Sequence, residues 1–133
     1  MSPPPAAGGY IGRSVLRPQA ARHLAGRGTF TDDLTLPRMT HAAFLRSPHA
    51  HARIVRIDTA AAKRMPGVVA VVTGEEVARV CEPWVGTLGH LAMKSAKQYP
   101  LALGKAVWQG EPVVAVVAES RALAEDAVSR VLV

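Results

Sequence analysis

A single cysteine, Cys81, stands in the 133 residues, so no internal disulfide can staple the fold, and the usage fits a reducing compartment. Aromatics are scarce at 5%, two each of Trp, Tyr and Phe. A surface that stacks nucleic-acid bases needs more of them interleaved with its cations. No stretch approaches the roughly 18 consecutive apolar residues of a membrane-spanning helix. The opening Met1-Ser2-Pro3-Pro4-Pro5-Ala6-Ala7-Gly8-Gly9 has neither the basic nor the apolar region of a secretory leader. These absences predict a cytoplasmic protein with no membrane partner. Acidic residues are also in deficit, 10 against 16 Lys and Arg, for a formal net charge of +6. The arginines are spread along the whole chain rather than gathered into one stripe, which argues against a nucleic-acid partner and for a solvated surface or a face that meets an acidic subunit.

What is present is globular: 49% hydrophobic and 20% charged residues, enough for one core in one domain. Residues 1–9 read as a disordered Pro- and Gly-rich tail, and 10–37 as an extended arm with a helical turn near Gln19 to Leu24. Residues 38–133 read as the folded domain. Met39 to Arg46 alternates as a strand with His41, Ala43 and Leu45 on one face, ended by Ser47-Pro48. Arg53 to Asp58 is expected as a second strand, with Val55 and Ile57 on one side and Ile54 and Arg56 on the other. Thr59 is expected to cap a helix over Ala60 to Met65 that leaves through Pro66-Gly67. The β-branched run Val68 to Val72 predicts a strand buried on both faces. Thr73-Gly74-Glu75-Glu76 is a capping box.

From Val80 to Lys105 glycines and prolines break every period, predicting a long loop. Beyond it the pattern gives a strand over Lys105 to Gln109, a turn at Gly110-Glu111-Pro112 and a buried strand over Val113 to Ala118. Ser120 then caps a last helix whose inner face holds Ala124, Ala127, Val128 and Val131. Asp126 and Arg130 stand four apart in the order that favours an ion pair on a helix.

Several residue groups invite a chemical reading. His49 and His51, with His41 nearby, imitate part of a metal site. A zinc centre takes about four ligands, or three and a water, and no Cys, Asp or Glu stands near enough in sequence to complete the set. Asp32 and Asp33 are neighbours whose carboxyls diverge on an extended chain, so a turn explains them better than an acid–base pair. Gly26-x-Gly28 is not followed by a helix whose amino terminus would hold a phosphate. Cys81 with His90 as base would need the loop to bring them together. The strongest contact candidate is the turn Gln109, Gly110, Glu111 and Pro112 after Trp108, read either as a structural turn or as a surface for a partner.

Read together, Gly26-Arg27-Gly28-Thr29-Phe30-Thr31-Asp32-Asp33, Arg46-Ser47-Pro48-His49-Ala50-His51-Ala52, Pro66-Gly67-Val68-Val69-Ala70-Val71-Val72-Thr73, Tyr99-Pro100-Leu101-Ala102 and Gly110-Glu111-Pro112-Val113-Val114 occur in an order that resembles the amino-terminal α/β hammerhead domain of the molybdenum hydroxylases. These are the large subunits of the xanthine dehydrogenase, aldehyde oxidase and carbon monoxide dehydrogenase family. The resemblance runs from Ile11 to Val131. It implies an α+β fold, a small mixed sheet with two to three short helices behind an extended arm, and a last strand that is truncated at Val131-Leu132-Val133. It also implies a division of labour. Molybdopterin with its molybdenum, iron–sulfur clusters and FAD serve the complete enzyme, and none is expected to be bound here: no catalytic, cofactor-binding or metal residue is assigned. The implied partners are the remainder of the molybdenum-binding large subunit, an iron–sulfur small subunit and an FAD medium subunit. A free-standing binding module derived from that family, or the product of an interrupted gene, is the alternative reading.

Overall fold

The computed structural model describes residues 9–86 and 95–133, in two compact units divided after Leu36. The first unit holds a short helix, α1 (Ala20–Leu24), and a 3-10 turn at Thr31–Asp33. Local contacts hold it together. Arg22 bends back so that its Nε donates to the Arg27 carbonyl at 2.6 Å and its Nη2 to the Thr29 hydroxyl at 3.1 Å. The His23 and Phe30 rings lie 5.3 Å apart. The Asp33 carboxylate accepts from the Phe30 amide at 2.9 Å, so the expected turn forms and this carboxyl is its cap.

The second unit, Pro37–Val133, is built on a three-stranded antiparallel sheet in the order β1 (His41–Arg46), β5 (Pro112–Ala118), β3 (Val68–Thr73). Between them in sequence come β2 (Ala52–Arg53), α2 (Ala60–Lys63), α3 (Gly74–Val77) and β4 (Lys105–Ala106), and α4 (Arg121–Val128) closes the order. β2 and β4 pair with each other, also antiparallel. The central strand is the most apolar one, Pro-Val-Val-Ala-Val-Val-Ala, and it hydrogen-bonds on both sides. One sheet face carries Leu45, Val68, Val71, Val114 and Val116. Ala62 of α2 and Ala127 of α4 are buried with them, as is Val131, and together they form the core.

α4 forms with the cap its sequence predicts but ends at Val128, short of Val131. The Ser120 hydroxyl accepts from the Leu123 amide at 3.3 Å, and Ala124 and Ala127 are fully buried on its inner face. The helix ends at Val128, which leaves Arg130 off its surface; the ion pairs found among the described residues are Arg56–Asp58 and Lys63–Glu76, and the expected Asp126–Arg130 pair is not one of them. The capping box forms too, with the Glu76 carboxylate accepting from the Thr73 amide at 2.7 Å and the Thr73 hydroxyl at 3.1 Å.

Four local expectations need correction, the first being the strand expected over Lys105 to Gln109, which stops at Ala106. The strand expected over Arg53 to Asp58 has ladder partners only at Ala52–Arg53, with a further isolated bridge from Asp58 to Leu132. Ile54 and Ile57 turn to the core while Val55 is 86% exposed, a spacing of three that no flat strand gives. The helix expected to reach Met65 stops at Lys63, and its first amide, on Ala60, is capped by Asp58 at 3.0 Å rather than by the Thr59 hydroxyl. β3 is an edge strand: a register shift between Val68 and Ala70 throws Val69 outward, 60% exposed, because two residues there oppose one on β5.

Tight turns rest on two glycines. Gly110 has φ +87°, a conformation costly for a side chain. Gly74 opens α3 against the backbone of Ala102, whose carbonyl oxygen would lie 2.1 Å from any Cβ placed there.

Candidate functional site: two joined turns beside an apolar groove

The turn at 109–112 is held by its own buried carboxylate. Glu111, 4% exposed, accepts from the Val107 amide at 2.5 Å, while its own amide donates to the Trp108 carbonyl at 3.3 Å. A short loop with one acidic residue turned inward closes on itself in this way, because a buried carboxylate without a donor is costly. Its second attachment is to the turn after β1. The Ser47 amide donates to the Glu111 carbonyl at 2.9 Å, the Gly110 amide to the Ser47 carbonyl at 2.8 Å, and Arg46 Nη1 to the Gly110 carbonyl at 2.9 Å.

Ser47 is the only other buried polar side chain among the described residues, and its hydroxyl both accepts from the His49 amide and donates to the His49 carbonyl, each at 3.1 Å. The Ser-Pro-His turn and the Gly-Glu-Pro turn are therefore one hydrogen-bonded unit. Trp108 and Gln109 remain at its surface. Sequence reasoning identified the second turn and missed its partner. The signal was present in the Ser-Pro pair, since serine hydroxyls bond the backbone two residues on.

Beside this unit lies a groove of about 650 Å³. Leu45, Ile54, Ala106, Val113 and Val131 line it, and Arg46, Arg53 and Arg56 border it. Arg56 pairs with Asp58 at 2.6 Å. The Ala60 amide, and after it the Arg56 side chain, hold the Asp58 carboxyl below its ordinary 3.8. Glu76 is likewise held below 4.5, first by the Thr73 amide.

The other sequence candidates are dispersed. His41 is half-buried on β1, whereas His49 and His51 are exposed on the turn. Asp33 is spent on the Phe30 amide. Gly26 follows the end of α1, its amide bonding the His23 carbonyl, so that pair belongs to a helix exit. Cys81 is exposed, and His90 lies outside the described residues.

Among the described residues no group of three or more His, Cys, Asp or Glu stands together, and no buried side-chain polar atom lacks a partner. An iron–sulfur cluster takes about four thiolates, and the whole chain has one cysteine. One thiolate does not fit such a cluster.

Residues 25–133 match the family described as "Aldehyde oxidase and xanthine dehydrogenase, a/b hammerhead domain", and the chain belongs to that family. It is 43% identical over 124 residues to the nicotine 6-hydroxylase large subunit of Paenarthrobacter nicotinovorans, covering 93% of this chain and 15% of that one. The solved structure of quinoline 2-oxidoreductase from Pseudomonas putida 86 superposes with a TM-score of 0.82 at 46% identity, covering 93% of this chain and 16% of that one. A Cu,Mo-CO dehydrogenase superposes at 0.76 with 38% identity, over 91% and 15%. The chain thus spans about 15% of the length of these three relatives.

Proposed function

We propose that this chain is the hammerhead part of a molybdenum hydroxylase large subunit, with a structural and subunit-contact role and no catalysis of its own. The observation that carries the reading is the pair of buried polar residues, Ser47 and Glu111, whose bonding capacity serves two turns of the scaffold. A catalytic acid or nucleophile must keep an open side toward substrate. Membership of the hammerhead family and the small share of each relative's length support the same reading.

In this account molybdopterin, the iron–sulfur clusters and FAD are carried by other segments or subunits. The partners are the remainder of the molybdenum-binding large subunit, an iron–sulfur small subunit and an FAD medium subunit. The contact that this domain offers includes the turn at Gln109, Gly110, Glu111 and Pro112, where Trp108 and Gln109 are surface residues on a buried, hydrogen-bonded base. The reading places the protein in the cytoplasm.

The test is direct. The purified 133-residue chain, assayed with nicotine, an aldehyde and a purine and an artificial electron acceptor, is expected to show no hydroxylation and to carry no stoichiometric molybdenum or iron. Turnover by the isolated chain sinks the proposal.

A further inference from the structure

The three-stranded sheet has two faces, and the helices cover one. Directly paired residues share a face. Ala43 with Val116 and Val71, and Leu45 with Val114 and Thr73, lie on the side of α2 and α4. The opposite side carries Ala42, Val117 and Ala70 in one row and Phe44, Ala115 and Val72 in the next. All six are apolar, and none belongs to the core cluster or packs against it. Ala42 and Phe44 are exposed, and the other four are only partly covered.

An antiparallel sheet with one face in water alternates apolar with polar residues. This one does not. β5 is apolar at every position from Pro112 to Ala118, the pattern of a strand enclosed on both sides. The three alanines leave the face flat, so another backbone can approach closely, and Phe44 projects from it with the Arg46 guanidinium 5.6 Å above its ring.

The size of the face decides between occupants. Three strands about 4.8 Å apart and about 20 Å long present roughly 300 Å². A stable complex of separate molecules needs roughly 800 Å² on each partner, so a second copy held by this face alone would dissociate. A segment on the same polypeptide needs far less area, because the linkage supplies a high effective concentration. The geometry points to this sheet face as the surface on which the remainder of the large subunit docks. The inference rests on the proposed function and adds the location of the contact.

The experiment grafts this chain onto the nicotine 6-hydroxylase large subunit in place of its matching segment. Assembly with that enzyme's other components and nicotine hydroxylation are then measured for the parent graft and for grafts carrying Phe44→Glu or Val117→Glu. The parent graft is expected to assemble. Each Glu variant is expected to lose at least about tenfold in assembled enzyme, since a carboxylate would be enclosed without a partner.

The same two substitutions in the free 133-residue chain control for folding. They are expected to leave it folded by far-UV circular dichroism, with a melting midpoint within about 5 °C, because the face lies outside the core. Failure of the parent graft to assemble defeats the proposed function itself. Assembly of the variants at the parent level defeats only the assignment of this face. Sedimentation of the free chain is expected to show a monomer. A dimer abolished by Phe44→Glu would overturn the assignment in favour of a second copy.

Discussion

The amide of Ser47 donates to the carbonyl of Glu111 at 2.9 Å, and through that bond the turn after β1 and the turn before β5 become one body. Both side chains are buried and each bonds the backbone of its own turn. The chemistry of this corner is that of a clasp, which makes its disruption measurable as stability.

Glu111→Ala removes the buried carboxylate that accepts from the part-buried Val107 amide and is expected to cost about 1 kcal/mol by urea denaturation. Glu111→Gln retains a carbonyl oxygen at the same reach and is expected to lose clearly less. Equal losses in the two variants would contradict the assigned bond.

Gly74→Ala places a Cβ 2.1 Å from the Ala102 carbonyl oxygen, a contact with backbone that no side-chain rotation relieves. The expected loss is about 3 kcal/mol, seen as a lower denaturation midpoint. Gly104 has open space around its Cβ direction but φ +71°, so Gly104→Ala is expected to lose less, through backbone strain alone.

Val114→Ala and Val69→Ala delete the same atoms from neighbouring strands of one sheet. Val114 is completely buried at the centre, and its truncation is expected to cost about 2 kcal/mol. Val69, thrown out by the bulge, is expected to change stability by less than about 0.5 kcal/mol. Thermal melts of the two proteins compare them directly.

Acid titration tests the two carboxyls with lowered pKa. Asp58 is held down by the Ala60 amide and then by Arg56, and Glu76 by the Thr73 amide ahead of its hydroxyl and Lys63. A folded-state pKa below the unfolded one gives stability that is fully present above the ordinary values of 3.8 and 4.5 and is lost as pH falls through the folded values. Melting midpoints are therefore expected to fall below about pH 4.5, and Asp58→Asn with Glu76→Gln is expected to flatten that limb. An unchanged acid limb in the double variant would refute the assignment.

Much of the fold was legible where a residue's fate depends on near neighbours. The alternation of β1, the Thr73–Glu76 box, the Ser120 cap and the inner face of α4 all follow from spacing within a few positions. Readings failed where a distant partner intervened. Ile54 and Ile57 face the core because the 52–58 segment is held by β4 at one end and Leu132 at the other, which twists it between two attachments. Asp58 outcompetes Thr59 as cap because its carboxylate sits within reach of both the Ala60 amide and Arg56. The turn at 109–112 could be found from Gly110 and Pro112, but its clasp to Ser47 depends on two remote segments meeting.

By its own pattern the sequence determined β1, β3, β5, the Thr73–Glu76 box and the start of α4, and to which family its ordered motifs belong, because periodicity and capping are local and motif order is linear. Only the tertiary structure decided which of the apolar faces is left uncovered and that Ser47 and Glu111 meet. Those depend on register between strands far apart in the chain, and a shift of one residue would exchange the two faces of the sheet.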